Sequence, residues 1–333
     1  MVEKKRTQKV LFLSDMHIAG KTSNLATYQA GIIELMTRYD HVCMLGDDWE
    51  LFFVDKNHVK SMSNLLEVLT DRSSDKWQKD FRLKIDKKVN DTRNAVQSVI
   101  RGGKWFTSEF LERNPRVHLH KVEGNHEMVR RFRNEFDYLE EKYPNFEWGI
   151  HGIRLGDALL THGHIPMQDI HKQQDPARLR FAEKSQVWAG FIDLFAGLEH
   201  RWQESKWNTL EKKQTHIAKF DDNLTERTGL MNFSISHNRQ REPLTTMSWA
   251  KHVFFGHTHV KFDNVIEPKT NTLYHNTGAI VKGNASRNPE DLGLLEAELT
   301  EDGRIINVRP VHITKDKDRS LWTKPKQDDA LGR

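Results

Sequence analysis

The sequence predicts an α/β fold, and three observations predict it. Short apolar runs recur along the chain, each run ends in a loop of glycine, histidine and acidic residues, and stretches of helical spacing lie between them. Strand followed by polar loop, five times over, is the pattern expected when such loops gather at the carboxyl ends of strands. Hydrophobic residues make up 37% of the 333 and charged residues 29%. Because the apolar residues are concentrated in runs such as Val10–Leu13, Val42–Leu45 and Val253–Phe255, a buried core is within reach.

Taken in order, Lys9–Ser14 reads as a buried strand, with Asp15, Met16 and His17 directly after it. Leu25, Tyr28, Ile32, Ile33 and Met36 then recur every three or four residues, which predicts a helix. His41–Leu45 is the second strand and runs into Gly46-Asp47-Asp48-Trp49-Glu50. Val117–Val122 leads to Gly124-Asn125-His126-Glu127, Ala158–Thr161 to His162-Gly163-His164, and His252–Phe255 to Gly256-His257-Thr258-His259. Leu273–Thr277, Leu292–Leu299 and Ile305–Ile313 read as further strands, with a turn at Glu301-Asp302-Gly303. One domain over residues 1–313 is therefore expected, interrupted by helical insertions at about 51–115 and 167–250 that would form a cap. In the second insertion Trp188, Phe191, Ile192, Phe195, Leu198 and Trp202 mark one apolar helix face. Residues 314–333 are charged and aperiodic and are expected to fray.

The bulk charge excludes little. A net +4 from 51 basic and 47 acidic residues fits any anionic substrate, and nucleic acid is allowed without being indicated. Cys43 is the single cysteine, so no intramolecular disulfide forms, and its place in an apolar run marks it as packing. The first nine residues lack the apolar stretch of a signal peptide, and no window reaches the ~20 apolar residues of a membrane span. A cytoplasmic protein is the expectation; oligomeric state is not readable.

Each cluster alone is weak, since an Asp-x-His arises by chance in a chain of this length. Five of them after five strands are another matter. Asp carboxylates, an Asn carbonyl and neutral imidazoles suit Mn, Fe, Zn or similar divalent ions, and no thiolate is available for a structural zinc cage. Two cations held close together repel each other and need a bridging anion, which Asp47 is placed to supply.

The order Asp-x-His, Gly-Asp-x-x-Glu, Gly-Asn-His-Glu, His-Gly-His, Gly-His-Thr-His resembles the calcineurin-like metallophosphoesterase superfamily, from Lys9 to about Val281. The resemblance implies a four-layer αββα sandwich and hydrolysis of a phosphate ester by metal-bound hydroxide. It implies two divalent metal ions, with Mn the expected pair and Fe or Zn the alternatives. Asp15, His17 and His259 would hold the first ion, Asp47 would bridge, and Asn125, His162 and His257 would complete the second. His126 would contact the phosphate and assist the leaving oxygen. Within the superfamily the chain is partly similar to UDP-2,3-diacylglucosamine pyrophosphatases. It departs from them at Asp48, His126 and His164, where they carry an apolar residue, Arg and Asp. The Asp-Arg-Gly of Ser/Thr phosphatases is absent.

His164 is read either as a substrate contact or as a support for His162, and Glu50 and Glu127 as supporting carboxylates. The tryptophans of the insertions (Trp77, Trp105, Trp188, Trp202, Trp207, Trp249) are read first as packing and only second as a stacking platform. Arg178, Arg180, Arg239 and Arg241 are placed as candidates to reach a phosphate. The leading substrate class is a small phosphate mono- or diester or a nucleotide. Its rivals are a DNA or RNA nuclease, a UDP-sugar-lipid pyrophosphatase, and a non-catalytic binding module.

Overall fold

Runs such as Val10–Leu13 and Val42–Leu45 have no polar face, so their strands must be covered on both sides. The computed structural model describes residues 7–20, 23, 25–51, 92–164, 209–230, 234–244, 246–280, 293–311 and 313. In chain order its elements begin with β1 (Thr7–Leu13), α1 (Leu25–Met36), β2 (His41–Met44), α2 (Thr92–Arg113), β3 (His118–Val122), α3 (Arg130–Lys142) and β4 (Phe146–Gly149). They continue with β5 (Gly152–Leu155), β6 (Ala158–Leu160), α4 (Leu210–Leu230), β7 (Ser234–His237) and β8 (Gln240–Pro243). The last are β9 (His252–Phe255), β10 (Phe262–Glu267), β11 (Thr272–Asn276), β12 (Leu294–Thr300) and β13 (Ile305–Pro310).

The strands form two sheets. One has the order β13-β12-β1-β2-β3-β4, the other β10-β11-β9-β6-β5-β7-β8. In the first, β1 through β4 are parallel neighbours; in the second, β6, β9 and β11 are. Alternation along β1 shows how the layers stack. Val10 and Phe12 face the second sheet, whereas Leu11 and Leu13 face the helices. Phe12 stacks on Phe254 of β9 across the inter-sheet core, ring centroids 3.8 Å apart. Each of these rings contributes roughly 1.5–3 kcal/mol by leaving water. Outside the first sheet, α1, α2 and α3 supply Ile32, Ile33, Val99, Phe106, Phe110, Phe132 and Phe136. Outside the second, Ile217 of α4 packs among Leu159, Val253, Phe255 and Tyr274, and the Tyr274 hydroxyl donates to Asp221. The architecture is the expected αββα sandwich.

The five site-bearing strands lie where the sequence puts them. β4 and β5 were not anticipated, because each is only four residues long and Gly149 and Gly152 break the alternation of Phe146–Leu155 between them. Within the expected helical insertions at about 51–115 and 167–250, α2 packs on the outer face of the first sheet, and Ser234–Pro243 is a β-hairpin added to the edge of the second. Residues 52–91, the Trp188–Trp202 pattern and the tail 314–333 lie outside the described residues. Among the described residues no helix is long and apolar enough to cross a membrane.

At the amino ends of the strands, histidines tie the two sheets together. His41 Nδ1 lies 3.0 Å from His120 Nε2, His120 Nδ1 lies 3.0 Å from Glu147 Oε2, and Ser236 Oγ donates to Glu147 Oε1 at 2.8 Å. Burial, then His120 and His118, push the pKa of His41 down to about 3; burial, then Arg133 and Arg241, push His151 down to about 4. A histidine whose folded pKa lies below its unfolded value near ~6.5 takes up its proton only on unfolding. Its contribution is therefore full above pH ~6.5 and is lost as pH falls toward the folded pKa. The unfolding free energy of the metal-free chain, measured in urea, is expected to decline between about pH 6.5 and 4.5. The slope should reach about 1.4 kcal/mol per pH unit for each such histidine, and His41→Asn should flatten it. A His41→Asn profile no flatter than that of the wild type would mean that His41 is not held neutral.

Candidate metal centre

β1, β2 and β3 of one sheet and β6 and β9 of the other end at a common edge, and all five polar loops meet there. The first two loops are stitched backbone to backbone: Asp15 N to Gly46 O at 3.0 Å, His17 N to Asp47 O at 2.9 Å and Ile18 N to Asp48 O at 2.8 Å. The last two meet at Gly256 N to His162 O, 3.1 Å. Asp15, His17, Asp47, His257 and His259 all have left-handed backbones, with φ between 46° and 65°. Asp and His tolerate that region better than most residues, and the turn aims each side chain inward from its strand end. Two glycines are needed for close approach. A Cβ on Gly124 would overlap the amide and carboxylate of Asp47, and one on Gly256 would overlap Asp15 and Ser14.

The structure brings all eight expected residues together. Asp15, His17 and His259 form one group whose candidate ligand atoms lie within 4.8 Å of one another, and Asp47, His162 and His257 form a second. His162 shows why a cation fits. Its Nδ1 donates to the Leu45 carbonyl at 2.8 Å, so in a neutral ring Nε2 carries only a lone pair. That lone pair faces Asp47 Oδ2 at 3.1 Å and Asn125 Oδ1 at 3.1 Å, three acceptors around one point. In the first group, His17 gives Nδ1 to Glu50 Oε2 at 3.1 Å and turns Nε2 toward His259 Nε2 at 3.4 Å. Asp15 Oδ1 is buried and has no aligned hydrogen bond among the described residues, with His259 Nε2 at 3.2 Å. Its other oxygen accepts the His257 amide at 3.0 Å and the Ser14 hydroxyl.

The charges agree with this arrangement. Burial alone would raise the Asp47 carboxyl, yet His162 and His126 hold it well below the usual range. Burial disfavours a charged His162, and Asp47 outweighs it, lifting the pKa to about 9. A proton on Nε2 and a divalent cation answer the same need for positive charge among these oxygens. His257 is pushed down to about 3 by burial and then by His162.

His126 stands beside both groups without belonging to either, and clusters with His17 and Glu50. Its amide donates to Asp47 Oδ1 at 2.8 Å, and its ring gives Nδ1 to the Glu50 carboxylate at 3.0 and 2.9 Å. Burial opposes a proton there, but Glu50 and then Asp47 raise the pKa to about 10. The side chain is 19% exposed, and Nε2 lies 3.8 Å from Asp47 Oδ2. Glu50, read from the sequence as a support, holds both His17 and His126. His164 is buried against His162, ring centroids 5.3 Å apart, and its Nδ1 has no hydrogen bond among the described residues.

Two other expectations change. Arg241 pairs with Asp137 of α3 at 2.6 Å, and Arg239 sits at the hairpin turn with its amide toward Glu147, so neither faces the site. Trp105 and Trp249 pack against the cores, as the packing reading expected, with Arg154 4.4 Å over the Trp249 ring. Arg178, Arg180, Trp77, Trp188, Trp202 and Trp207 lie outside the described residues. Sequence reasoning missed Ser14 and Lys121, whose residue types carry no pattern of their own.

Fold and site together define a metal-dependent phosphoesterase, a hydrolase acting on phosphoric ester bonds. A model of the calcineurin-like phosphoesterase family matches residues 8–261, and the chain belongs to that family. No curated protein matches it. Among solved structures it is similar to a dimetal phosphatase from Danio rerio, at 9% identity and a TM-score of 0.36, over 92% of this chain and 99% of that one.

Proposed function

We propose that the chain hydrolyses a small phosphate mono- or diester, nucleotide-type molecules included, with a pair of divalent ions held at this edge. The observation that carries the reading is the convergence of carboxylate, amide and imidazole ligand atoms on two neighbouring points, with His126 held beside them by Glu50. Asp15, His17 and His259 would hold one ion, Asn125, His162 and His257 the other, and Asp47 both. Mn is the pair we favour, because the donors are oxygen and imidazole nitrogen with no thiolate. Such a pair, when bound, would supply an activated water and positive charge for the phosphoryl oxygens.

The chain's own residues account for the rest. Glu50 keeps His126 in the charged form and fixes its ring, so Nε2–H can bond to a phosphoryl oxygen as negative charge builds there. When the P–O bond breaks, the same proton can pass to the leaving oxygen. His164, buried with a spare nitrogen, would line the site on the side of His162 and His257.

The test is turnover by metal-stripped protein with and without added Mn²⁺. The panel is p-nitrophenyl phosphate, its bis-ester, a nucleotide set, and single- and double-stranded DNA and RNA. Mn-dependent turnover of a small ester or nucleotide is the expected result. Cleavage confined to DNA or RNA and strongly weakened by salt would replace it with the nuclease reading. A chain that binds two ions and turns over nothing on the panel would sink the small-ester reading.

A further inference from the structure

Lys121 is fully buried on β3, on the face that packs against the helices. Its ammonium donates to Asp48 Oδ2 at 2.6 Å and to Glu127 Oε1 and Oε2 at 2.8 and 3.0 Å. The rings of Phe132, Phe136 and Trp148 close its other side, with centroids 5.8, 5.8 and 6.0 Å from Nζ. An apolar residue would suit that wall. Taking an ammonium and two carboxylates out of water is costly, and a buried ion cluster is weak evidence of stability. The cluster therefore asks for a reason beyond packing.

The reason lies in where its carboxylates sit in the chain. Asp48 directly follows Asp47, and Glu127 directly follows Asn125 and His126. Glu127 Oε1 also accepts the amides of Asp48 at 3.1 Å and Trp49 at 3.0 Å, and Oε2 accepts the amide of Gly124 at 3.0 Å. Two loops thus hang on one carboxylate, and the ammonium joins that carboxylate to the Asp48 side chain. The β2–β3 pairing ends at Met44 with Lys121, so the ladder does not fix the loops beyond it. Asp47 and Asn125 belong to those loops, and the His126 amide to Asp47 Oδ1 is their contact on the site side.

We propose that Lys121 is a positioning residue for the metal centre. Through Asp48 and Glu127 it sets the separation of Asp47 from Asn125, the two oxygen ligands that share the second ion. The inference rests on the dinuclear reading given above. Lys121 touches no reacting atom, and its effect should appear first in the affinity for metal.

The experiment is Mn²⁺ titration by calorimetry of the metal-stripped full chain, with the thermal melt of the metal-free protein beside it. Lys121→Met removes the charge at near-constant volume, and the dissociation constant of at least one ion should rise about tenfold or more. Adding Asp48→Asn returns the cluster to its original net charge, since one ammonium and two carboxylates become a single carboxylate. The double variant should recover the melting temperature but keep the weakened Mn²⁺ binding, because the tie between the loops is still missing. Should the single variant fail to fold, the double variant carries the test alone. Wild-type affinity for both ions in Lys121→Met, or in the double variant, would overturn the inference and leave Lys121 as charge balance. A wild-type chain that binds no Mn²⁺ would overturn the dinuclear reading, and this inference with it.

Discussion

Asp47→Asn is expected to reduce Mn-dependent turnover by on the order of 1000-fold or more and to lower the metal stoichiometry below two. The substitution keeps the shape of the side chain and removes its charge. Asp47 is buried, with one oxygen 3.1 Å from His162 Nε2 and the other accepting the His126 amide at 2.8 Å. An amide can keep the second contact but cannot offset two cations in the same small space. His162 is affected too, because the Asp47 carboxylate is what favours positive charge at its Nε2. The fold should survive, since Asp47 is not part of the cores and its backbone carbonyl still accepts the His17 amide. The measurements are kcat with added Mn²⁺, ions bound per chain, and the melting temperature. A variant that binds two ions and keeps more than about a tenth of the activity would remove Asp47 from the bridging role.

How much of this could be read in advance depended on where the information sits. The five loops were legible because each needs a turn directly after a buried strand, and that leaves glycine, aspartate and histidine together in a few adjacent positions. Asp15, His17, Asp47, His257 and His259 share a left-handed backbone, a conformation in which Asp and His are over-represented, so their local sequence reflects a local constraint. Glu50 was legible as a support and no further, because its two imidazole partners come from loops after β1 and β3. Lys121 was illegible for the same reason made stronger. In His118-Leu119-His120-Lys121-Val122 a lysine reads as solvated, and only the arrival of Asp48 and Glu127 from elsewhere makes its burial tolerable. Asp48 carried a hint, since it was marked as a departure from the pyrophosphatase pattern, and in the fold it is the residue paired with Lys121. The hairpin β7–β8 was missed because Gln240–Pro243 is an exposed edge strand, where nothing forces apolar alternation.

His126→Gln is expected to lower kcat by about 100- to 1000-fold while leaving two ions bound. His126 lies in neither metal-ligand group that contains Asp15 or Asp47, and its Nδ1 is committed to Glu50 at 2.9 Å. What the substitution removes is a charged N–H donor beside the metal-ligand groups, which matters most when charge develops on the phosphoryl and leaving oxygens. The loss should therefore fall on kcat more than on KM. Glu50→Gln separates the two functions of the carboxylate. It withdraws the charge that raises the pKa of His126, and it weakens the hold on His17 Nδ1 at 3.1 Å. We expect a fall in kcat of about 10- to 100-fold accompanied by weaker binding of one ion, the ion His17 would hold. The pairing of the two results is the test. If His126→Gln loses an ion, the histidine is a ligand and the proton-donor role is wrong. If Glu50→Gln lowers kcat with both affinities intact, Glu50 serves His126 alone, and the contact with His17 does not help to hold the metal.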